Sequence, residues 1–515
     1  MLKKAGNLFT TAYLLLIFGV YPLYMDQGYV DIGEAKYQFF IYSSLAAAGI
    51  LALIGVMLWV RNICYRVKEN AALRIDWECL SVTDLFVIMY ATEIFLSYTF
   101  SDYRKEALWG AEGWYMGLVT LLTLCGLYFL VSRWWDGSKV VWYIAIMVSG
   151  IVFMFGILDR FSIYLIPLEV RQPSFISTLG NINWFCGYLS VLAPVGICRF
   201  LFYKKNWEKW IYGGYTVIAF MAGFCQGSSS IFLFWGALFY LLLWIAIKKR
   251  AWFGDYFLLL SLWGFSAQAV RLMRLIMPDR YNYDTDNLCA YLTDSNFMLL
   301  MGIGALIVYL YLWVKQKGCF SDSAWKSFHR IMLILLAGGI LLWLTAAVLN
   351  TWAGIPGLEQ ANGLLLNDAW GNGRGAAIFS SLQMYREMPV LHKLFGAGPD
   401  CFSAYAYSLP EVSRRLGAAF GSSRLTNAHN ELLTCLINTG VLGLCLYIGI
   451  FASFLRRCMG LGEKDTDFYI FSISIVCYFC HNMVSFAQVL NIPFLFLMLG
   501  MGEAQRKKVC QYQKD

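Results

Sequence analysis

Residues 426–457 read Thr426-Asn427-Ala428-His429-Asn430-Glu431, then LLTCLINTGVLGLCLYIGIFASFL over 432–455, then Arg456-Arg457. An α-helix needs about 20 apolar residues to cross hydrocarbon, and this run exceeds that without one charge. The paired arginines at its end mark a cytoplasmic rim. Asn427 is a residue type that caps helix starts, which predicts His429 and Glu431 in the first helical turn, at the outer surface. One stretch thus carries a membrane helix and a titratable pair at its outer end.

Working outward with the same window gives fourteen candidate spans, centred near residues 16, 48, 90, 123, 149, 192, 218, 238, 262, 305, 340, 442, 475 and 496. The expected fold is all-α, a polytopic transmembrane helical bundle of about 12–14 spans. Composition agrees. Of 515 residues, 59% are hydrophobic and 14% charged, with mean hydropathy +0.58, whereas soluble domains carry about 25% charge. Too little charge is present to coat three soluble domains, which excludes a soluble enzyme, a disordered chain and a nucleic-acid binder.

Lys and Arg in short loops set orientation. With the start Met1-Leu2-Lys3-Lys4 read as a signal anchor, the cytoplasmic set includes Lys3, Lys4, Arg61, Arg66, Lys68, Arg74, Lys204, Lys205, Lys248, Lys249, Arg250, Lys315, Lys317, Arg456, Arg457, Arg506, Lys507 and Lys508. Both termini are therefore expected in the cytoplasm. The net charge of +8 becomes a topology signal facing anionic membrane lipid, with no nucleic acid required.

Residues 350–427 have no apolar run long enough to span and are punctuated by Gly and Pro. The expected division is an N-terminal bundle of about eleven spans (1–349), an extracytoplasmic loop with short helices (350–427), and C-terminal membrane helices with a cytoplasmic tail (428–515). Apolar residues such as Ile378, Leu382, Leu394 and Phe402 predict that the loop's helices cap the bundle.

At His429 two effects oppose each other. A helix N-terminus disfavours imidazolium, while Glu431 close by favours it, so the ring is expected to titrate near neutral pH, as a general base should. Arginine on the outer side runs against the positive-inside trend. Arg374, between Gly373 and Gly375, is the placement that most invites a ligand, because glycines let backbone come close. Arg424, Arg271, Arg274 and Arg280 are further candidates, while Arg414 and Arg415 read as a solvated helix face beside Glu411. The fifteen cysteines fall mostly in apolar runs. Cys477 and Cys480 lack the further ligands that zinc needs. No metal and no cofactor are expected.

His429-Asn430, nine residues, then Gly440-Val441-Leu442-Gly443 resembles the C-terminal motif of the O-antigen ligase and polymerase family. Three more stretches are similar to that family's pattern: Ser177-Thr178-Leu179-Gly180-Asn181-Ile182-Asn183, then Gly373-Arg374-Gly375 followed by Leu394-Phe395-Gly396-Ala397-Gly398-Pro399, and Ala107-Leu108-Trp109-Gly110. Where members often carry Ser-Arg, this chain has Gln226-Gly227-Ser228-Ser229-Ser230.

The resemblance implies a membrane glycosyltransferase of a bacterial cytoplasmic membrane, active at its outer face. It would move a glycan from a polyprenyl (undecaprenyl) diphosphate carrier to an acceptor hydroxyl on a glycan or lipid-glycan, inverting and without metal. His429 is the implied base and Arg374 the diphosphate ligand. Arg424, Arg271, Arg274, Arg280, Asn430, Glu431, Asn181 and Asn183 are the implied substrate-binding set. The rival is a transporter or flippase of a lipid-linked glycan, which would place ionisable groups at mid-membrane. Glu93 is the clearest charge at that depth, and the others gather at the outer rim.

Overall fold

A computed structural model describes residues 1–68, 80–168, 170–203, 206–282, 288–314, 321–358 and 361–511. Arg74, Lys204, Lys205, Lys315 and Lys317 of the topology argument lie outside the described residues. Every one of the fourteen span centres falls inside a helix. Among the described residues, eight helices are long and apolar enough to cross a membrane: Ile32–Tyr65, Val82–Phe100, Val140–Arg160, Ile182–Phe202, Arg250–Ile276, Asn296–Val314, Ser323–Trp352 and Glu431–Leu461. Leu118–Trp134 and Ile231–Ala246 are apolar but shorter. The chain is an all-α polytopic helical bundle.

Burial sorts these helices by position. Ile182–Phe202 is apolar on every side and buried along its length, as a helix at the centre of a bundle must be. Ser323–Trp352 is the opposite, with Leu335 69% and Leu342 75% exposed. Its outward apolar face has acyl chains as its natural solvent. Pro493 stands in the first turn of Ile492–Gln511, where its missing N–H has no helical partner to lose.

One feature departs from an all-helical chain. Phe175–Ile176 pairs antiparallel with Gly180–Asn181 in a two-residue hairpin, and the hairpin delivers Asn181 to the N-cap of the central helix. Residues 350–427 hold the helices Trp370–Glu387, Val390–Phe395, Phe402–Ser408 and Pro410–Phe420. They bury their own small core, including Ala377, Met384, Phe402, Val412 and Leu416, against Ile437 of the following helix. The segment is thereby fastened to one end of Glu431–Cys458.

Candidate active site

The glycine motifs lock together through backbone. Glu431–Cys458 breaks at Gly440, at φ 66° and ψ −173°, which takes the carbonyls before the break out of the helical ladder. Ala397 N–H donates to Ile437 O at 2.9 Å and Gly398 N–H to Asn438 O at 3.0 Å, so the freed acceptors are satisfied, as buried carbonyls require. A Cβ on Gly440 would lie 2.2 Å from Leu394 O, and one on Gly396 2.2 Å from Asn438 O. Ser97 and Ser101, from the end of the 82–100 helix, close the joint by donating to Asn438 O and Ala397 O. Asp400, buried at the end of the same run, accepts Ala111 N–H at 2.8 Å and Met116 N–H at 2.9 Å. Three motifs far apart in sequence are thus one joint.

That joint holds the start of the 431–458 helix, where the local reading needs correction. The N-cap is Asn430, whose Oδ1 accepts Leu433 N–H at 3.0 Å, not Asn427. His429 precedes the helix at φ 48°, a left-handed conformation that cannot continue one. Asn427 instead accepts His429 N–H at 2.9 Å and fixes the turn. The His429 ring lies over Phe420, centroids 6.3 Å apart and planes 22° from parallel, with the edge of Phe486 at 5.4 Å.

Glu431 does not serve the imidazole. It is 4% exposed, and its carboxylate accepts hydrogen bonds from Tyr447 and Asn482 inside the protein. The charge that His429 meets is Arg374. Burial and that guanidinium push the imidazole down to about 4, not near neutrality as expected, because the favouring carboxylate is turned away. At neutral pH the ring is unprotonated and ready to accept.

Arg374 emerges from a turn in which Gly371, Asn372 and Gly373 all have positive φ, at 59°, 60° and 87°. The turn brings its guanidinium back on itself: Nη1 donates to Gly371 O at 2.9 Å and Nε to Val484 O at 3.0 Å. Among the described residues it has no carboxylate partner. Burial lowers its pKa, yet arginine stays charged in such settings. A half-buried cation held only by carbonyls is poised for an anion.

The segment after the 467–482 helix completes the site. Met483 O accepts from Asn430 Nδ2 at 2.9 Å, Val484 O from Arg374, and Phe486 packs on His429. His481 is fully buried, with Nδ1 2.7 Å from Asn482 Oδ1. The repeated His-Asn dipeptide at 481–482 was the available signal. Its partner was an atom of Glu431, which no spacing reveals.

The other expected residues lie elsewhere. Arg271 donates to Asn296, and Arg274 pairs with Asp294 at 3.0 Å while lying over Tyr281. Arg280 is exposed. Arg424 is exposed and stacked on Tyr407 at 4.7 Å. Asn181 caps the central helix through Asn183 N–H, and Asn183 Oδ1 accepts from Ser228 Oγ at 2.8 Å. Where a Ser-Arg pair was missing, Arg160 supplies a guanidinium from another helix. It is buried and donates to Cys225 O and Gln226 O at 2.8 Å each. Among the described residues no three His, Cys, Asp or Glu side chains group as metal ligands.

A cavity of about 70 Å³ lies beneath the loop, walled by Asn427, Thr434, Asn438, Trp114 and Phe486. Residues 285–448 match the family described as O-Antigen ligase, Wzy_C. The matched segment contains Arg374, the Gly396 joint, His429 and Gly440, and ends before His481. No curated protein matches the chain.

Proposed function

From an O-antigen ligase domain at residues 285–448, within an integral membrane protein, we propose glycan transfer from a polyprenyl diphosphate carrier to an acceptor hydroxyl at the outer face of a bacterial cytoplasmic membrane. The observation that carries this reading is that residues 484–486 hold both Arg374, a cation without a carboxylate partner among the described residues, through the Val484 carbonyl, and His429, through the Phe486 ring. A diphosphate is the anion that a carbonyl-held guanidinium suits, through charge and a planar donor fork. His429 takes the acceptor hydroxyl's proton as the oxygen attacks the anomeric carbon. The bond from that carbon to the carrier diphosphate breaks, and the carrier leaves with the electron pair. A single displacement inverts the anomeric centre.

Charge links the two residues. In the free protein Arg374 disfavours imidazolium. When the diphosphate neutralises Arg374, that penalty falls and His429 becomes the stronger base only with donor in place. Arginine carries the charge that a metal carries in other diphosphate enzymes, so the reaction is proposed to be metal-independent. The test is purified protein with a lipid diphosphate glycan, followed for carrier release with and without chelator. Release in chelator supports the reading. Intact lipid moved across a vesicle bilayer would mark a transporter instead.

A further inference from the structure

A second concavity adjoins the Arg374 turn. It is a cleft of about 430 Å³, within the roughly 300–1,000 Å³ of sites that hold small ligands. Its polar groups are Asp368, Asn372 and Arg415, and its floor is Ala369, Ala418 and Ala419. Arg415 is therefore not merely a solvated helix face beside Glu411. Its Nε lies 3.5 Å from Asp368 Oδ2, and its Nη1 donates to Gln383 Oε1 at 3.2 Å. Gln383 in turn donates to Glu387 and Glu411, at 3.0 Å each. The fork of Arg415 is thus held from two sides, while the side chains of Arg415 and Asp368 stay 37% and 54% exposed.

This lining selects a ligand class. An anion meets Asp368, and a cation meets Arg415. A molecule whose hydroxyls both donate and accept satisfies carboxylate, amide and guanidinium together, and its C–H face lies on alanine. That is a carbohydrate. The position gives it a role. Gly373 lines the cleft and precedes Arg374, and a Cβ there would meet the Phe420 ring at 3.1 Å. Phe420 stacks on His429, so one aromatic ring separates the cleft from the imidazole. We propose that this cleft seats a sugar of the acceptor glycan next to the reacting one, so that the reacting hydroxyl reaches His429 around the Phe420 ring. The proposal rests on the transfer reading above.

Two measurements on the full-length protein separate the two. First, Ala418→Cys carrying an environment-sensitive fluorophore is titrated with the oligosaccharide released by mild acid from the lipid diphosphate donor, and separately with pyrophosphate. A saturable response to oligosaccharide, lost with Asp368→Asn plus Arg415→Gln and absent with pyrophosphate, is expected. Second, in the transfer assay with that oligosaccharide as acceptor, the double variant and Ala418→Trp should raise acceptor KM by about tenfold or more. Donor affinity and kcat should stay within about twofold. Unchanged acceptor KM in both variants, or no fluorophore response, overturns the cleft while leaving the transfer reading intact. Wild-type protein that binds the oligosaccharide but never releases carrier overturns the transfer reading and keeps the cleft as a glycan site.

Discussion

Arg374 Nε donates to the carbonyl oxygen of Val484 at 3.0 Å, a hydrogen bond between residues 110 positions apart. It joins the turn at 371–373 to the loop after the 467–482 helix, whose Phe486 packs on His429, and it fixes the guanidinium plane. With Nε and Nη1 occupied by backbone, the donors on Nη2 remain for a ligand.

Arg374→Lys keeps the charge but loses both the fork and the bond to Val484. Charged hydrogen bonds contribute about 1.5–3 kcal/mol, so donor KM should rise about 10–150-fold. Titration of donor against acceptor in a carrier-release assay checks this. A donor KM unchanged by the substitution would remove Arg374 from phosphate binding.

His429→Gln retains a polar group on the turn but cannot accept a proton. Turnover should fall about 10²–10⁴-fold, the span of general-base contributions, with donor binding intact. Near-normal transfer by this variant would reduce His429 to a structural residue.

The pH profile should separate free from bound enzyme. In the free protein His429 is pushed down to about 4, so kcat/KM should hold at neutral pH and fall on the acid side near 4, as the ring protonates. kcat reports the complex, in which diphosphate offsets Arg374, so its acid limb should lie at higher pH. The same depressed imidazole has a stability consequence. Its contribution to folding is present above the unfolded value of 6.5 and is lost as pH falls through about 4. Coincident limbs in kcat and kcat/KM would contradict the charge coupling between the two residues.

Gly440→Ala and Gly396→Ala should each destabilise the joint. Both place a Cβ 2.2 Å from a carbonyl oxygen and strain a left-handed backbone, at a cost of about 1–3 kcal/mol or more. Gly417→Ala, a helical position with nothing within 4 Å, is the control and should gain about 0.5–1 kcal/mol. Thermal unfolding in detergent compares them. Equal midpoints for all three would mean that the joint contributes nothing to stability.

Topology is open to labelling. Ser408 and Gly460 are both exposed. In a background lacking the exposed Cys64 and Cys445, Ser408→Cys should react with impermeant reagent from outside and Gly460→Cys should not. The reverse pattern would move the site to the other face.

The chain alone carried much of this. Runs of about 20 apolar residues select helices in a membrane, because no other short-range structure satisfies its own backbone there; all fourteen centres accordingly fall in helices. Gly373-Arg374-Gly375 and His429-Asn430 stood out as types and spacings, and the structure draws both into one place. Only tertiary packing decided what surrounds them. The left-handed turn at His429 moved the cap from Asn427 to Asn430. The inward turn of Glu431 to Tyr447 and Asn482 left Arg374 as the imidazole's charged neighbour. Arg271 and Arg274 looked equal to Arg374 on sign and side, yet Asp294 and Asn296 already engage them. Helix formation answers to residues within a few positions of each other. A charge's environment answers to whatever the fold brings within a few ångströms, and for Arg374 that is a carbonyl 110 residues further along the chain.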